Sequence, residues 1–368
     1  EDYIASPNSP GEVTPGLLMA SVQVSTFATF GGQLARQSGV MIQHMAGTSA
    51  GSQSVEIANY NITELTNENE WNAVYTGAIM NANIIIRDFG AENPYYAGIS
   101  RILIAMNVGL AADLWGDVPL SEASLGQTGN LTPNFDSQES VINQIQGLLD
   151  QAIIDLGKPE ADNQVVPAAD DFIHGGDAAA WIKTANALKA RYANRLSQRD
   201  AAGSATKALA ALSGAYSSDA DDANMIFGEG GTSLNQWYAY EQSRGSYIRV
   251  SATFVDALDG KSDPRLPVFC AKDAQGGYSG TPPDDTDMDT SSYVGTYYAS
   301  PASSIPLVSY VEMKFIEAEA KLRSGDAGGA AMAHNDAVKA SIMQVTGASD
   351  ATYEGANASE TAASITLE

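Results

Sequence analysis

The chain has 368 residues, enough for one large core or two fused layers, and a hydrophobic share of 44% excludes a disordered chain. Its 19 Lys and Arg stand against 44 Asp and Glu, a net charge of −25. Such a surface repels phosphate backbones and anionic lipid, which argues against nucleic-acid binding and against a basic membrane-docking patch, and is read as a solubility device.

In chain order, Ser6–Pro10 reads as extended chain, with Thr14 as the cap and Pro15 as the first residue of a helix. That helix is expected from Leu17 to about Met45, with an interruption at Gly31-Gly32. A second starts near Asn69, where Trp71, Val74, Tyr75, Ala78, Ile79 and Ala82 form a stripe at helical spacing. A third, Tyr96 to Leu114, places Ile99, Leu103, Met106, Leu110 and Leu114 on one face. Gly116 to Pro119 breaks it, and Gly126 to Asp136 reads as a polar loop. Ser137 caps the next helix, with Val141, Ile145, Leu148, Ala152 and Leu156 inward and Gly157 and Pro159 as its stop. Asp177 caps another, carrying Trp181, Ala185, Leu188, Tyr192 and Leu196, and a short helix follows near 204–216. Trp71, Trp115 and Trp181, on stripes or beside a helix end, are expected in the core.

From Asp219 to Ser246 no helical period is visible, helix returns briefly near 251–258, and Lys261 to Pro306 is the longest irregular region. The stretch 219–306 is therefore the loop-rich candidate for ligand binding, since long structureless loops are more often functional than not. Two helices close the pattern, 309–323 and 326–345, joined at Ser324-Gly325. Glu317 with Lys321, and Glu319 with Arg323, are spaced for favourable pairs. The fold class is mainly α, with tetratricopeptide-like helical hairpins supporting an irregular loop-rich face. A generic bundle is the alternative, because no clean 34-residue period is present.

Cys270 is the one cysteine, so no internal disulfide forms, and His44, His174 and His334 show no metal-ligand spacing. No run reaches the ~18 consecutive apolar residues of a membrane span. The opening Glu1-Asp2-Tyr3, without an initiating Met, predicts a mature or trimmed product.

Three segments resemble the SusD/RagB family of nutrient-binding outer-membrane lipoproteins, in its SusD-like branch: ADLWGDVPLSEA (112–123), GSYIRVSATFVDALDG (245–260) leading into DPRL (263–266), and SYVEMKFIEAEA (309–320). PNSP (7–10) and TPGLL (14–18) are similar to the family's start. The order of these segments along most of the chain carries the resemblance. It implies a single SusD-like domain over 1–368, anchored through a lipidated N-terminal Cys not present in this chain and continued by further helices beyond Glu368. It also implies tetratricopeptide-like hairpins, residence at the cell-surface side of the outer membrane, and a SusC-like TonB-dependent barrel as partner. The ligand it implies is an oligosaccharide, or a peptide in some members.

A sugar-binding face needs flat rings for C–H stacking beside hydrogen-bonding side chains. The irregular regions offer Trp237, Tyr238 and Tyr240 with Asn235, Gln236 and Gln242, and further on Tyr278, Tyr293, Tyr297 and Tyr298, with Trp237 as the leading stacking residue. The alternative for each is packing of loop onto helix. The acidic run 284–289 has no Gly at its sixth position and no Glu at its twelfth, so it fails as a calcium hand, and a looser calcium site is the only cofactor it suggests. Arg265 in DPRL is expected as an ion-pair strut. No G-x-S-x-G elbow, P-loop or dinucleotide fingerprint is present, and carboxylate pairs among 44 acids discriminate nothing. The residues therefore predict a non-catalytic binding protein, with a helical-repeat adaptor or an acidic glycosidase as the readings from other classes.

Overall fold

The computed structural model describes residues 13–283, 285 and 290–367, so the extended opening expected at 6–10 lies outside the described residues. The chain begins with α1 (Pro15–Gly31), α2 (Gln33–Met41), β1 (Met45–Gly47), α3 (Gln53–Ala58) and α4 (Glu68–Asn72). Helix continues from α4 through a π-helical stretch (Ala73–Ile79), α5 (Met80–Ile84) and a second π-helical stretch (Ile85–Phe89). Next come α6 (Pro94–Trp115), α7 (Gln138–Leu156), α8 (Ala178–Arg195) and α9 (Ala201–Leu212). The middle holds β2 (Ala223–Met225), α10 (Gln236–Arg244), β3 (Ile248–Val250), α11 (Ala252–Asp259), α12 (Leu266–Phe269) and β4 (Ile305–Val308). Helices α13 (Tyr310–Arg323), α14 (Ala327–Thr346) and α15 (Ala351–Asn357) follow. The fold is mainly α, as the stripes predict. The described residues form two compact units, one running up to Thr26 and resuming over Asn72–Ala185, the other made of Phe27–Trp71 and the chain from Asn186 onward.

In the first unit α6 is the central helix. Ile99, Ile102, Leu103 and Met106 are fully buried, and α7 packs on it through Val141, Ile145, Leu149, Ala152 and Leu156. Gly98 permits that approach, since a Cβ there would lie 2.6 Å from Leu156 Cγ. Helix α6 is long and apolar enough to cross a membrane, yet 78% of its apolar window is buried as core. The predicted cap holds: Ser137 Oγ accepts from the Ser140 N–H at 3.3 Å. Leu114, expected inward, is exposed, and Trp115 is only half-buried, because both sit in the last turn of α6, beyond its packed length.

A single carboxylate organises the end of this unit. Asp171, buried, accepts from Gln23 Nε2 at 2.7 Å, from Trp181 Nε1 at 2.7 Å and from the Gly176 N–H at 2.8 Å. It also accepts from the backbone N–H of Ile173 at 3.1 Å. Gln23 returns the bond by accepting from the Phe172 N–H at 2.7 Å. Trp181 is fully buried, as expected, and His174 meets its ring edge-on at 5.0 Å.

In the second unit α13 and α14 form a hairpin around Gly325, whose φ of +85° suits glycine. Ser309 caps α13 and Asp326 caps α14, the latter accepting from the Gly329 N–H at 2.8 Å. Both expected helix-surface pairs form, Glu317 with Lys321 at 2.6 Å and Glu319 with Arg323 at 2.9 Å. Arg191 grips Glu312 through both Nε and Nη2 and also donates to the Leu307 carbonyl at 2.8 Å. Two small antiparallel ribbons complete the unit: β1 with β3 in the register Met45↔Val250, and β2 with β4 in the register Met225↔Ile305. The region 219–306 is thus less irregular than its composition predicts, since α10, β3, α11 and α12 lie inside it. Trp71, expected in the core, is half-buried.

Replacing Asp171 by Asn puts amide hydrogens against a ring of donors, and each hydrogen bond to a buried charged group contributes about 1.5–3 kcal/mol. D171N is therefore expected to lose at least ~2 kcal/mol of stability in denaturant titration. A midpoint equal to the parent's would contradict the assigned role.

Candidate functional site

Helix α11 begins at its cap Ser251, which accepts from the Thr253 N–H at 3.2 Å. Val255 and Leu258 then turn inward to join Val250, Leu266 and Cys270 in a compact cluster, over which Phe254, Phe269 and Tyr278 lie half-buried. A neighbouring cluster of Trp237, Val294 and Ala299 carries Tyr298 in the same manner. The rings above these clusters run together. His44 lies 4.7 Å from Phe254, Phe254 lies 6.1 Å from Phe269, and Phe269 lies 5.8 Å from Tyr298 and 5.9 Å from Tyr297. Tyr297 and Tyr298 meet edge-on at 4.8 Å.

This row of partly exposed rings resting on apolar supports is the best candidate ligand surface in the second unit. Burial pushes the Tyr297 hydroxyl up to about 12 and also raises that of Tyr298, so both stay neutral donors at ordinary pH. Desolvation holds the His44 imidazole below its usual value, which favours its uncharged form.

Arg265 fixes Phe269 from behind. Its guanidinium holds Asp263 at 2.9 and 2.6 Å, donates to Ser341 Oγ at 2.8 Å, and sits 5.9 Å from the Phe269 ring centre. Tyr353 donates to the same carboxylate at 2.7 Å. The strut read from the sequence is present, and it ties α12 to α14 and α15.

The residues proposed from sequence divide. Tyr297 belongs to the ring row and Tyr278 to the same support as Phe254 and Phe269. Tyr293 faces a different partner, with the Arg249 guanidinium 3.4 Å from its ring centre, and Tyr240 lies under Arg36 at 4.1 Å. Tyr238 is half-buried and Gln242 exposed, both on α10. Trp237, the expected leading stacker, is a core residue, 9% exposed. Asn235 is fully buried and committed, accepting from the Trp237 and Tyr238 N–H groups and donating to the Ser303 carbonyl at 2.7 Å. It caps α10, and the helix it starts turns Trp237 inward. His44, Phe254 and Phe269 were not singled out by sequence. Phe254 is adjacent to the buried Val255 and so falls off the helical stripe.

The acidic run considered for calcium lies mostly outside the described residues. Among the described residues no three of His, Cys, Asp and Glu converge as a metal site. A cavity of about 420 Å³ between α13, α14 and the segment 364–367 is lined by Phe315, Glu319, Arg323, His334 and Glu360, its charged groups already paired within the chain.

Helical hairpins carrying a ring-bearing, loop-rich surface define a binding scaffold of the SusD type. A family profile for SusD-like proteins, described as starch-binding and associating with outer membrane, matches residues 7–364, and the chain belongs to that family. Solved structures share the fold. A SusD/RagB family protein from Bacteroides thetaiotaomicron is 24% identical with a TM-score of 0.76, over 94% of this chain and 78% of that one. A chitin-binding SusD homolog from Flavobacterium johnsoniae is 23% identical with a TM-score of 0.79, over 91% and 71%. A SusD homolog from Bacteroides uniformis is 21% identical with a TM-score of 0.76, over 95% and 74%. No curated protein matches the sequence.

On α10, the helix that carries Trp237 inward, Glu241 is a half-buried acid. Burial pushes its carboxyl up to about 7, against the opposing pull of the Val294 N–H and Arg249. Its Oε1 has no hydrogen-bond partner among the described residues. A raised acid pKa means that the folded chain holds the proton more tightly than the unfolded chain does. The contribution is full below the ordinary carboxylate range and is lost as pH climbs to about 7. E241Q is expected to melt increasingly above the parent as pH rises from 5 to 8, by scanning calorimetry. A gap independent of pH would contradict this.

Proposed function

We propose that the chain captures an oligosaccharide at the cell surface without transforming it, and delivers it to a SusC-like TonB-dependent outer-membrane barrel. The observation that carries this reading is the row His44, Phe254, Phe269, Tyr297 and Tyr298, an uncharged ring surface held on rigid supports. Sugar rings stack their C–H faces on such rings, while the tyrosine hydroxyls satisfy sugar hydroxyls. Family membership supports glycan binding and association with the outer membrane. The reading places the chain, lipid-anchored, on the outer face of that membrane. Binding of a peptide by the same surface is the second reading, as aromatic rows also hold apolar side chains.

Each stacking ring is worth about 0.5–1.5 kcal/mol beyond its buried area. F269A and Y297A are therefore each expected to weaken binding of the preferred oligosaccharide about tenfold, measured by calorimetry over a panel of glucan, chitin and peptide ligands. Y238A, outside the row, is expected to bind as the parent does. Affinity for peptides alone, or unchanged glycan affinity in both ring variants, would overturn the proposal. So would hydrolysis of the bound glycan.

A further inference from the structure

The ring row ends at His44, and the residue before it takes an unusual backbone conformation. Helix α2 stops in a pair of nested hydrogen bonds. The Gln43 N–H donates to the Val40 carbonyl at 3.1 Å, and the His44 N–H donates to the Gly39 carbonyl at 2.9 Å. A stop of this kind puts one residue in the left-handed region, a place that glycine ordinarily fills and asparagine sometimes does. Here Gln43 fills it, with a φ of +58°. A long side chain in that conformation carries a backbone cost, and such costs are kept most often where a side chain serves a ligand.

The strands then fix where that side chain stands. The chain passes from Gln43 into β1, which pairs with β3 in the register Met45↔Val250, and the Ser251 N–H donates to the His44 carbonyl at 3.1 Å. Residues 43–44 and 253–254 are thereby brought side by side. The Phe254 ring lies 4.7 Å from the His44 ring, and Thr253 Oγ1 donates to Gln43 Oε1 at 3.1 Å. Gln43 and Thr253 are both exposed, so the amide stands at the open edge of the row. With Oε1 engaged by Thr253, the amide presents Nε2, a donor of two hydrogens.

A fixed donor beside two rings selects among sugar substituents. A hydroxyl brings its own hydrogen and no apolar surface. An acetamido group brings a carbonyl oxygen that only accepts, and a methyl that is best placed against a ring. We infer that Gln43 is the polar anchor of the ring row, donating through Nε2 to the acetamido oxygen of an N-acetylated amino sugar whose methyl rests on His44 and Phe254. This deepens the reading of the row as an oligosaccharide surface and rests on it. It names the ligand class as oligosaccharides of N-acetylated amino sugars.

The test is calorimetry with the β-1,4-linked hexamer of N-acetylglucosamine and with cellohexaose, which has the same backbone without acetamido groups. The parent is expected to bind the acetylated hexamer about tenfold tighter than cellohexaose, the worth of one hydrogen bond. Q43G removes the amide and places glycine where the backbone favours it. It is expected to melt at or above the parent, to lose about tenfold in affinity for the acetylated hexamer and to bind cellohexaose as the parent does. Q43E, which keeps the length but cannot donate when ionised, is expected to lose affinity for the acetylated hexamer as Q43G does. Undiminished binding of the acetylated hexamer by Q43G, or an equal loss for both hexamers, would overturn the inference. So would a Q43G chain that melts below the parent, which would give the side chain to the helix end instead. A parent that binds cellohexaose or maltohexaose as tightly as the acetylated hexamer would overturn the ligand class and leave the oligosaccharide reading standing. A parent that binds no oligosaccharide would overturn both.

Discussion

The ion pair between Asp263 and Arg265 stands where the ring row meets the helical scaffold, and the candidate surface depends on it. Burial alone would raise the Asp263 carboxyl, yet the hydrogen bonds from Arg265 and Tyr353 bring it below its ordinary range. A pair taken this far out of water is worth having only when its remaining hydrogen-bonding capacity is filled. Here Ser341 and Tyr353 fill it. The effect is that α12, a helix of four residues with little stability of its own, is clamped to α14 and α15. Phe269, the ring touching most of the others in the row, sits at the end of that clamped helix. Long helices thus lend their rigidity to a short irregular segment, which is how a loop-rich face becomes a preformed one.

Carboxylates recur as the organising device. Asp171 gathers donors from three parts of the first unit, while Asp136 and Glu122 gather the backbone of one loop. The acid surplus read from the composition as a solubility device therefore has a second use. Some acids face water, and others accept from backbone N–H groups that irregular chain would leave unsatisfied. A protein rich in loops needs many such acceptors, and acids supply two oxygens each.

The long helices were legible because their signals are local. Stripes at helical spacing mark α6 and α7, and Ser137 and Asp177 stand at the caps they predict. Helices α10, α12 and α15 were missed for a physical reason: they are short, and α10 is aromatic and polar around its circumference, so no stripe announces it. The signal available was Asn235, read as a ligand contact but placed as a cap. Missing that helix also put Trp237 outside when it belongs inside. The ring row was harder still. His44, Phe254, Phe269 and Tyr297 come from distant parts of the chain and meet only through packing, which no window of sequence contains. The motif segments 245–260 and 263–266 supply one of its rings, Phe254, and the Asp263–Arg265 strut beside Phe269, whereas the ring that composition favoured, Trp237, packs inside.

The single cysteine has a consequence for following the ring-bearing unit in solution. Cys270 is buried in the cluster beneath Phe254 and Phe269, and desolvation pushes its thiol up to about 12. Both the approach of an alkylating reagent and the thiolate that must attack it are denied in the closed state. Modification of this sulfur consequently proceeds through openings of its own cluster, so the rate of alkylation in native buffer is a clock for how often the floor under the rings gives way.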